Sequence, residues 1–294
     1  MDNTYILVTA AKNEEDYIEK TIRSVISQTI TPRKWVIVSD GSNDETEKIV
    51  SQYSSKHNFI QLLSIQGDLK RSTASKVYAI NKGLKTIESI DYQFIGNVDA
   101  DIEFGSNYFE NLLEKFNNDI RLGIAGGWIH ELQNGKFIER FGNSKRNVPG
   151  SIQMFRRKCF EMIGGYIPLN RGGEDATAEV MARMYGWTTE SFPEFKVFHH
   201  RTTNIDKCNI LCARYNQGKE DYFLGYHPLF EFLKCLRRIR GKPFIISSIF
   251  RLFGYIGGLL SKESSNVPQD VVQYLRREQI MRIRSLFKLK RFIS

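Results

Sequence analysis

The sequence predicts an α/β protein with a mainly parallel sheet flanked by helices. Over the first hundred residues, short apolar runs alternate with amphipathic stretches of helical periodicity. The apolar runs are nearly continuous, which is typical of strands covered on both faces, as in parallel sheets. Polar clusters follow the runs, and open α/β sheets bind ligands at the carboxyl ends of their strands. We therefore expect a ligand site at that edge of the sheet.

The predicted elements follow one another regularly. Strands are predicted at 5–10 (YILVTA), 34–40 (KWVIVSD), 59–65 (FIQLLSI) and 92–101 (YQFIGNVDAD), with helices at 17–28, after residue 41 and at 72–87. Later patterns predict a helix at 107–118, a strand at 122–132, a strand and then a helix within 150–166, a glycine-rich loop opening a helix at 171–187 and a strand at 195–201. From residue 229 onward, helices dominate.

The positive charge is confined to the end of the chain. The net charge is +9, yet from Glu231 onward there are 14 Lys+Arg and 4 Asp+Glu, whereas the first 230 residues hold the remaining 28 and 29. This asymmetry predicts two functional parts, one at 1–228 and a basic helical tail at 229–294.

The chain shows no secretory signal pattern, and its four cysteines are few and unpatterned, which suits a reducing compartment. A cytoplasmic location is therefore expected. Cys208 and Cys212 lie one helical turn apart downstream of His199 and His200, but this spacing does not match the usual zinc-ligand patterns.

Two carboxylates stand where a predicted strand ends, in the segment IGNVDADIEF (95–104). On a strand, Asp99 and Asp101 would share a face, but a turn at the strand end splays them. One carboxylate can then hold a hard divalent cation such as Mg²⁺, while the other faces a sugar hydroxyl. The alternative is a solvated acidic loop, and an isolated D-x-D is a weak signal on its own.

Polar residues also follow the first two strands. In VSDGSND (38–44), Asp40 ends a strand before Gly41, and an acidic side chain there can accept a hydrogen bond from a base or a ribose hydroxyl. In AAKNEE (10–15), Asn13 and Glu14 either contact a nucleotide or cap the next helix. G-x-G-x-x-G and P-loop motifs are missing from the sequence, which disfavours a Rossmann dehydrogenase and a P-loop NTPase.

Two further clusters carry candidate chemistry. In GGEDATAEV (172–180), Glu174 and Asp175 open a helix, where a carboxylate serves either as a general base or as a helix cap. In VFHHR (197–201), His199 and His200 occupy successive strand positions, so they point to opposite faces. One neutral imidazole can complete a metal shell, and the other is a structural histidine.

Taken in order, the segments AAKNEE, VSDGSNDET, ASKVYAINKGL, VDAD and GGED resemble the family 2 glycosyltransferases of GT-A fold over roughly residues 4–203. The resemblance implies an inverting transfer of a sugar from a nucleotide-diphosphate sugar to an acceptor hydroxyl, with UDP favoured over GDP. It also implies a divalent cation, Mg²⁺ or Mn²⁺. By the same resemblance, 1–228 would be a GT-A catalytic domain with a nucleotide-binding half at about 1–101 and an acceptor half at about 102–228. The chain lacks the Q-x-x-R-W motif of processive synthases, which favours a single addition.

The resemblance also implies roles for individual residues. Asp175 would be the base with Glu174 as the alternate, and Asp101 the main metal ligand beside Asp99 and either His199 or His200. The nucleotide and donor would contact the remaining candidates: Ala11, Asn13, Glu14, Asp40, Gly41, Lys76, Asn81, Asp99 and Ala100. The segment SKVYAIN departs from the family's usual Ala-Arg-Asn, which affects the assignment of Lys76.

Three basic stretches with apolar stripes, at 229–240, 244–260 and 271–293, predict a helical platform on an anionic membrane surface. The stretch at 244–260 contains Arg251 and is short for the ~20 residues that a membrane span needs. Peripheral membrane binding would suit a lipid-linked acceptor in cell-surface glycan assembly. The alternative is a helical appendage packing on the catalytic domain or on a second subunit of a homo-oligomer.

Three other functions compete with the transferase interpretation. A nucleotide-sugar-binding protein without catalysis would not need both Asp101 and Asp175. A nucleotidyltransferase would need a glycine-rich basic loop after the first strand, which AAKNEEDY does not provide. Nucleic-acid binding by the tail is disfavoured because long apolar stretches accompany its charges.

Overall fold

The computed structural model describes residues 2–66, 73–201, 210–237, 244–261 and 263–290. The chain forms two compact units. Unit 1 comprises residues 1–168 and 174–202, and unit 2 comprises residues 169–173 and 203–294. The predicted functional boundary between residues 228 and 229 does not coincide with the division into these units, and it stays a prediction.

Unit 1 alternates strands and helices as the sequence pattern predicts. Its strands are β1 (Tyr5–Ala11), β2 (Lys34–Asp40), β3 (Ile60–Ile65), β4 (Phe94–Val98), β5 (Ile102–Phe104), β6 (Leu122–Gln133), β7 (Lys136–Glu139), β8 (Ile152–Arg156) and β9 (Thr188–His199). Its helices are α1 (Ile18–Ile26), α2 (Thr46–Ser54), α3 (Thr73–Lys85), α4 (Tyr108–Asn118), α5 (Arg157–Ile163) and α6 (Glu174–Met184). The predicted α/β class is confirmed.

The strands form one mixed sheet in the order β3-β2-β1-β4-β8-β6-β9-β5, and β7 pairs with β6. The first four strands of this order pair in parallel, so β1, β2 and β4 all end at one edge. The strand β8 pairs antiparallel to β4, and β9 runs parallel to β6. The parallel half therefore brings three polar strand ends together, as the sequence predicts.

The sheet is buried on both faces, which explains the continuous apolar strands. Along β1, Tyr5 and Leu7 pack into one apolar cluster with α1 and α4, whereas Ile6 and Val8 pack into a second cluster with α3. Successive side chains of a strand point to opposite faces, so one short run supplies both cores. This burial fixes the register of β1, because a slip of one residue would exchange the two sets.

Three strand segments are not predicted from the sequence: β5, β7 and the first half of β9. The sequence pattern predicts a strand at 195–201 only, and Pro193 lies just before that range. In the structure, β9 pairs with β6 on both sides of that proline, with a register shift between Gly127↔Phe192 and Trp128↔Lys196. A bulge of this kind accommodates proline within a sheet.

Unit 2 contains the helices α7 (Ile210–Phe223), α8 (Pro228–Arg237), α9 (Phe244–Leu260) and α10 (Gln269–Lys290). The last three match the predicted helical tail, whereas α7 was not predicted. Gly218 of α7 and Gly254 of α9 let the two helices approach closely, since a Cβ at either position would overlap the opposing backbone. No helix in the described part of the chain is both long and apolar enough to span a membrane.

A buried ionic network joins α7, α8 and α9. Arg251 of α9 forms an ion pair with Asp221 of α7 and donates from Nε to Glu231 of α8 at 3.0 Å. Lys234 lies 2.9 Å from Asp221 and 3.3 Å from Glu231. Two carboxylates and two cations thus balance, which a buried set of charges requires.

Candidate active site

The loops after β1 and β2 are hydrogen-bonded to each other at the polar edge of the sheet. The backbone N–H of Asn13 donates to Ser42 Oγ at 3.2 Å, and the N–H of Asn43 donates to Asn13 Oδ1 at 3.0 Å. The N–H of Glu14 donates to Thr46 Oγ1 at 2.7 Å. These bonds fix two of the predicted nucleotide-binding segments relative to one another.

The backbone turns sharply after both strands. Asn13 has φ of 54° and Gly41 has φ of 64°, in the left-handed region that asparagine and glycine tolerate. Ala11 and Asp40, the last residues of β1 and β2, are buried at this edge. The turn after Asp40 therefore leaves its carboxylate at the strand end, where the sequence predicts it.

The predicted D-x-D segment follows β4, and its two carboxylates diverge. Asp99 Oδ1 lies 2.6 Å from Lys76 Nζ, whereas Asp101 Oδ1 lies 3.2 Å from His199 Nε2. Ala100 between them is buried. The turn thus directs each carboxylate to a different partner, in agreement with the expected splaying of the pair.

Lys76 of α3 interacts with most of the acidic residues of the site. Burial opposes its charge, but Asp99, Glu174 and Asp175 together outweigh that effect and raise the pKa of Lys76 above its ordinary value. Lys76 is therefore a firmly protonated cation among these carboxylates. Asn81 lies five positions later on the same helix, about 140° around the axis from Lys76, so the two side chains point in different directions.

Glu174 and Asp175 form the first turn of α6, as the sequence predicts. Asp175 Oδ1 accepts a hydrogen bond from the N–H of Ala176 at 2.8 Å. Burial and the neighbouring charge of Asp175 raise the pKa of Glu174, while Lys76 opposes the shift. The Asp175 carboxylate lies against Gly150, where a Cβ would stand 2.5 Å from Oδ2.

The two histidines at the end of β9 have different environments. His199 is buried beside Asp101; burial lowers its pKa, but the bond to Asp101 and the charge of that carboxylate raise it, and the net direction is upward. His200 instead places Nε2 2.8 Å from Glu103 and stacks on Tyr17. Of the two candidates, the structure therefore brings His199 to Asp101.

Arg201 was not assigned a role from the sequence. Its guanidinium lies 2.7 Å from Glu14 and 3.9 Å from Asp101, and it stacks over the ring of Tyr17 with its Cζ 4.8 Å from the centroid. The only sequence signal was its place directly after the two histidines at the end of a strand. Arg201 thus links the loop after β1 to the acidic turn after β4.

The donor atoms beside Asp101 suit a divalent cation. An imidazole nitrogen and a carboxylate oxygen 3.2 Å apart have the spacing of neighbouring ligands in an octahedral shell with bonds of about 2.1 Å. Among the described residues, no group of three or more His, Cys, Asp or Glu side chains is placed to hold a metal. Mg²⁺ and Mn²⁺ commonly take only one or two protein ligands and leave the other positions to phosphate and water, so two donors are sufficient.

The alternative zinc site cannot be formed from the described residues alone. Cys208 lies outside them, and Cys212 is part of α7. The Asn216 amide of the same helix contacts the Cys212 sulfur at 3.6 Å.

The family model described as glycosyl transferase family 2 matches residues 6–182, which is more than half of the chain. The chain belongs to glycosyl transferase family 2. The match includes the loops after β1 and β2, the D-x-D turn and the first turns of α6, so the resemblance identified from those segments is confirmed.

Curated relatives of the chain are named poly-beta-1,6-N-acetyl-D-glucosamine synthase. The chain is 29% identical over 124 residues to the protein of Staphylococcus aureus strain MSSA476, covering 42% of this chain and 27% of that protein. It is 26% identical over 173 residues to the Staphylococcus epidermidis protein, covering 53% and 40%. The chain therefore matches less than half the length of these relatives.

Solved structures confirm the GT-A fold. The mannosyltransferase PcManGT from Pyrobaculum calidifontis, in complex with GDP-Man and Mn²⁺, superposes with a TM-score of 0.55 at 16% identity, covering 88% of this chain and 75% of that one. TarS 1–349 of S. aureus, in complex with UDP-GlcNAc, superposes with a TM-score of 0.54 at 13% identity, covering 92% and 78%. At such identities the similarity concerns the fold.

Proposed function

We propose that this protein transfers a sugar from a nucleotide-diphosphate sugar to an acceptor hydroxyl with inversion at the anomeric carbon. One observation carries the proposal: at the carboxyl edge of the parallel strands, Lys76 forms an ion pair with Asp99 at 2.6 Å, and Asp101 stands beside His199. The charges of Glu174 and Asp175 also act on Lys76. A diphosphate leaving group needs countercharge, and an acceptor hydroxyl needs a base; this arrangement can provide both.

The donor would lie across the loops after β1, β2 and β4. In this proposal Ala11, Asn13, Glu14, Asp40 and Gly41 contact the nucleoside, and Asp99, Ala100 and Lys76 contact the rest of the donor. Asn81, which points away from Lys76 on α3, is not part of this contact set. Asp101 and His199 would hold the divalent cation. When bound, the cation neutralises negative charge that develops on the departing diphosphate.

The acceptor side of the reaction depends on the first turn of α6. The acceptor oxygen attacks the anomeric carbon as its proton passes to the carboxylate of Asp175. The bond from that carbon to the diphosphate oxygen breaks, and the nucleoside diphosphate leaves with the electron pair. Glu174 is the alternate base, since burial and the charge of Asp175 raise its pKa and so favour uptake of a proton.

We further propose UDP as the favoured nucleotide, a divalent cation as cofactor and cell-surface glycan assembly as the setting. The relatives named as poly-beta-1,6-N-acetyl-D-glucosamine synthases and the TarS complex with UDP-GlcNAc support a UDP-linked N-acetylhexosamine. The PcManGT complex with GDP-Man and Mn²⁺ supports the cation and keeps GDP as the competing nucleotide. A lipid-linked acceptor and peripheral binding to the cytoplasmic face of an anionic membrane are part of the same proposal, supported by the basic tail.

A panel of UDP- and GDP-sugars tests the donor chemistry. The full chain and the Asp101→Ala variant are assayed for donor hydrolysis and binding with Mn²⁺ and with a chelator. We expect hydrolysis of at least one donor that requires the metal and is lost in the variant. Binding without hydrolysis would instead support the nucleotide-sugar-binding alternative. Metal-independent turnover that Asp101→Ala leaves unchanged would contradict the cation assignment.

A further inference from the structure

Two helices of unit 2 have their amphipathic faces inverted. In α9, Arg251, Ser247 and Ser248 are buried, with Arg251 only 7% exposed, whereas the outward face carries large apolar side chains. These exposed residues are Ile245, Ile246, Ile249, Phe250, Phe253, Ile256, Leu259 and Leu260. A helix at the surface of a protein surrounded by water has the opposite arrangement.

The same inversion occurs in α8. Glu231 and Cys235 are buried on its inner side, whereas Leu229, Phe232 and Leu236 are exposed. The buried Glu231 is the residue that Arg251 of α9 contacts. The two helices therefore direct Glu231 and Arg251 toward each other and these apolar side chains outward.

The contact between α7 and α9 has the character of helix packing in lipid. Gly218 and Gly254 bring the backbones together, and Gly258 of α9 lies against Tyr222 of α7. Helices in a bilayer associate through small residues and polar contacts, because burial of apolar surface gives them no advantage there. The contact between α7 and α9 is thus close-packed and contains the ion pair of Arg251 with Asp221, whereas the outward face of α9 is apolar.

We propose that the apolar face of α8 and α9, defined by the eleven exposed residues named above, is immersed in the acyl-chain layer of an anionic membrane. This inference rests on the proposed association with an anionic membrane and identifies the surface that makes it. The 17 residues of α9 extend about 25 Å, short of a bilayer core of about 30 Å, so the helix lies within one leaflet.

The net positive charge of this region favours a membrane, rather than a second copy of the chain, as the surface that covers the apolar face. From residue 231 onward, Lys and Arg exceed Asp and Glu by ten. Pairing two copies through this region would bring two strongly positive surfaces together, whereas an anionic lipid surface attracts each of them. Arg237 is exposed directly after the apolar Leu236, where a cation reaches lipid headgroups beside an immersed side chain.

Flotation with vesicles tests the proposal on the full chain. Vesicles of phosphatidylcholine alone are compared with vesicles containing phosphatidylglycerol, using wild type, Phe253→Asp and Ile120→Asp. Phe253 is 58% exposed on α9, and Ile120 is 79% exposed on unit 1, so the second variant is a matched control. We expect wild type and Ile120→Asp to bind the anionic vesicles equally. Phe253→Asp should lose roughly tenfold in partitioning or more, equivalent to about 1.4 kcal/mol.

Three other outcomes would contradict the proposal. Absence of wild-type binding to either vesicle would exclude the membrane association itself, and equal binding by Phe253→Asp would place it on another surface. A wild-type dimer in lipid-free buffer that Phe253→Asp converts to a monomer would assign the face to a second copy. Donor hydrolysis, measured on the same samples without lipid, tests the proposed transferase function separately.

A conservative variant gives a second readout that does not depend on disrupting the helix. Phe253→Trp places a fluorophore on the apolar face, and vesicles with brominated acyl chains quench only a fluorophore immersed among them. We expect quenching beyond that of the wild type, whose three tryptophans all lie in unit 1. Quenching equal to the wild type would show that the face remains outside the acyl layer and would overturn the proposal.

Discussion

The guanidinium of Arg201 lies 2.7 Å from the carboxylate of Glu14 and 3.9 Å from that of Asp101. One cation thus compensates two carboxylates that come from different strand ends. A divalent cation at Asp101 would share that carboxylate with Arg201, so the two positive charges repel each other at short range.

Replacing Arg201 by alanine should therefore strengthen the binding of Mn²⁺ alone. The site is partly exposed, so we expect a gain of a few fold, about 1 kcal/mol or less. Calorimetric titration of the nucleotide-free protein measures it, with Arg23→Ala as the control, because Arg23 pairs with Glu19 on the exposed side of α1. Weaker Mn²⁺ binding in Arg201→Ala than in wild type would contradict competition between the two cations.

The assignment of Asp175 as the base predicts a specific kinetic change. Asp175→Asn retains the size of the side chain but cannot accept the proton, so transfer should fall by roughly 10²–10⁴-fold while donor binding persists. Glu174→Gln is the matched control one residue away, and it should have the smaller effect. If the two variants exchange these results, the base is Glu174.

A substitution at Gly150 tests whether the position of the Asp175 carboxylate matters, because it leaves that carboxylate chemically unchanged. A Cβ there would stand 2.5 Å from Asp175 Oδ2 and 2.8 Å from its Cγ, so Gly150→Ala must displace the carboxylate. A shift of about 1 Å at a reacting group costs up to 10²-fold in rate. We expect lower turnover with an unchanged KM for the donor. Gly105→Ala, whose Cβ would meet nothing closer than 3.6 Å, should behave as wild type.

Glu179 of α6 should make stability depend on pH. Burial raises the pKa of the Glu179 carboxyl from 4.5 to about 8, although Arg183 opposes the shift. Between these two pH values, the folded state therefore binds a proton that the unfolded state has lost. The stabilisation that this proton gives the folded state is complete below pH 4.5. As the pH rises toward 8, the free energy of unfolding falls by up to about 1.4 kcal/mol per pH unit.

Glu179→Gln removes this titration while its side-chain oxygen can still accept the N–H of Val148, which Glu179 Oε1 accepts at 2.6 Å. Urea unfolding between pH 5 and pH 8, within the window of the shifted pKa, should show the variant gaining stability relative to wild type as the pH rises. The control is Glu161→Gln, because Glu161 is an exposed carboxylate that pairs with Arg157. This variant should show no such trend. A constant difference between wild type and Glu179→Gln would mean that Glu179 is ionised throughout.

The parallel half of the sheet was predicted well, because strands that are buried on both faces, such as β1 and β2, are nearly continuous runs of apolar residues. The sequence did not predict β5, whose three residues are too few to show a period. The first half of β9 was missed because a bulge absorbs Pro193, and a bulge depends on the partner strand.

The acidic candidates were found because they follow strands or open a helix, which are positions visible in a single sequence. Their partners were not. Arg201 reaches Glu14 across 187 positions of the chain, and Gly150 makes room for Asp175 through a contact between separate elements. The inward direction of Arg251 was not predicted either, because its partners Asp221 and Glu231 belong to two other helices.

The balanced ionic network of unit 2 has a practical consequence for handling the protein. Because Asp221, Glu231, Lys234 and Arg251 are shielded from the medium, concentrated electrolyte has little access to them, whereas it screens solvent-facing arginines fully. A high-salt wash should thus weaken attraction to acidic phospholipid without unravelling the helices. Full extraction would then call for a mild detergent, and the released protein should keep its native circular dichroism spectrum.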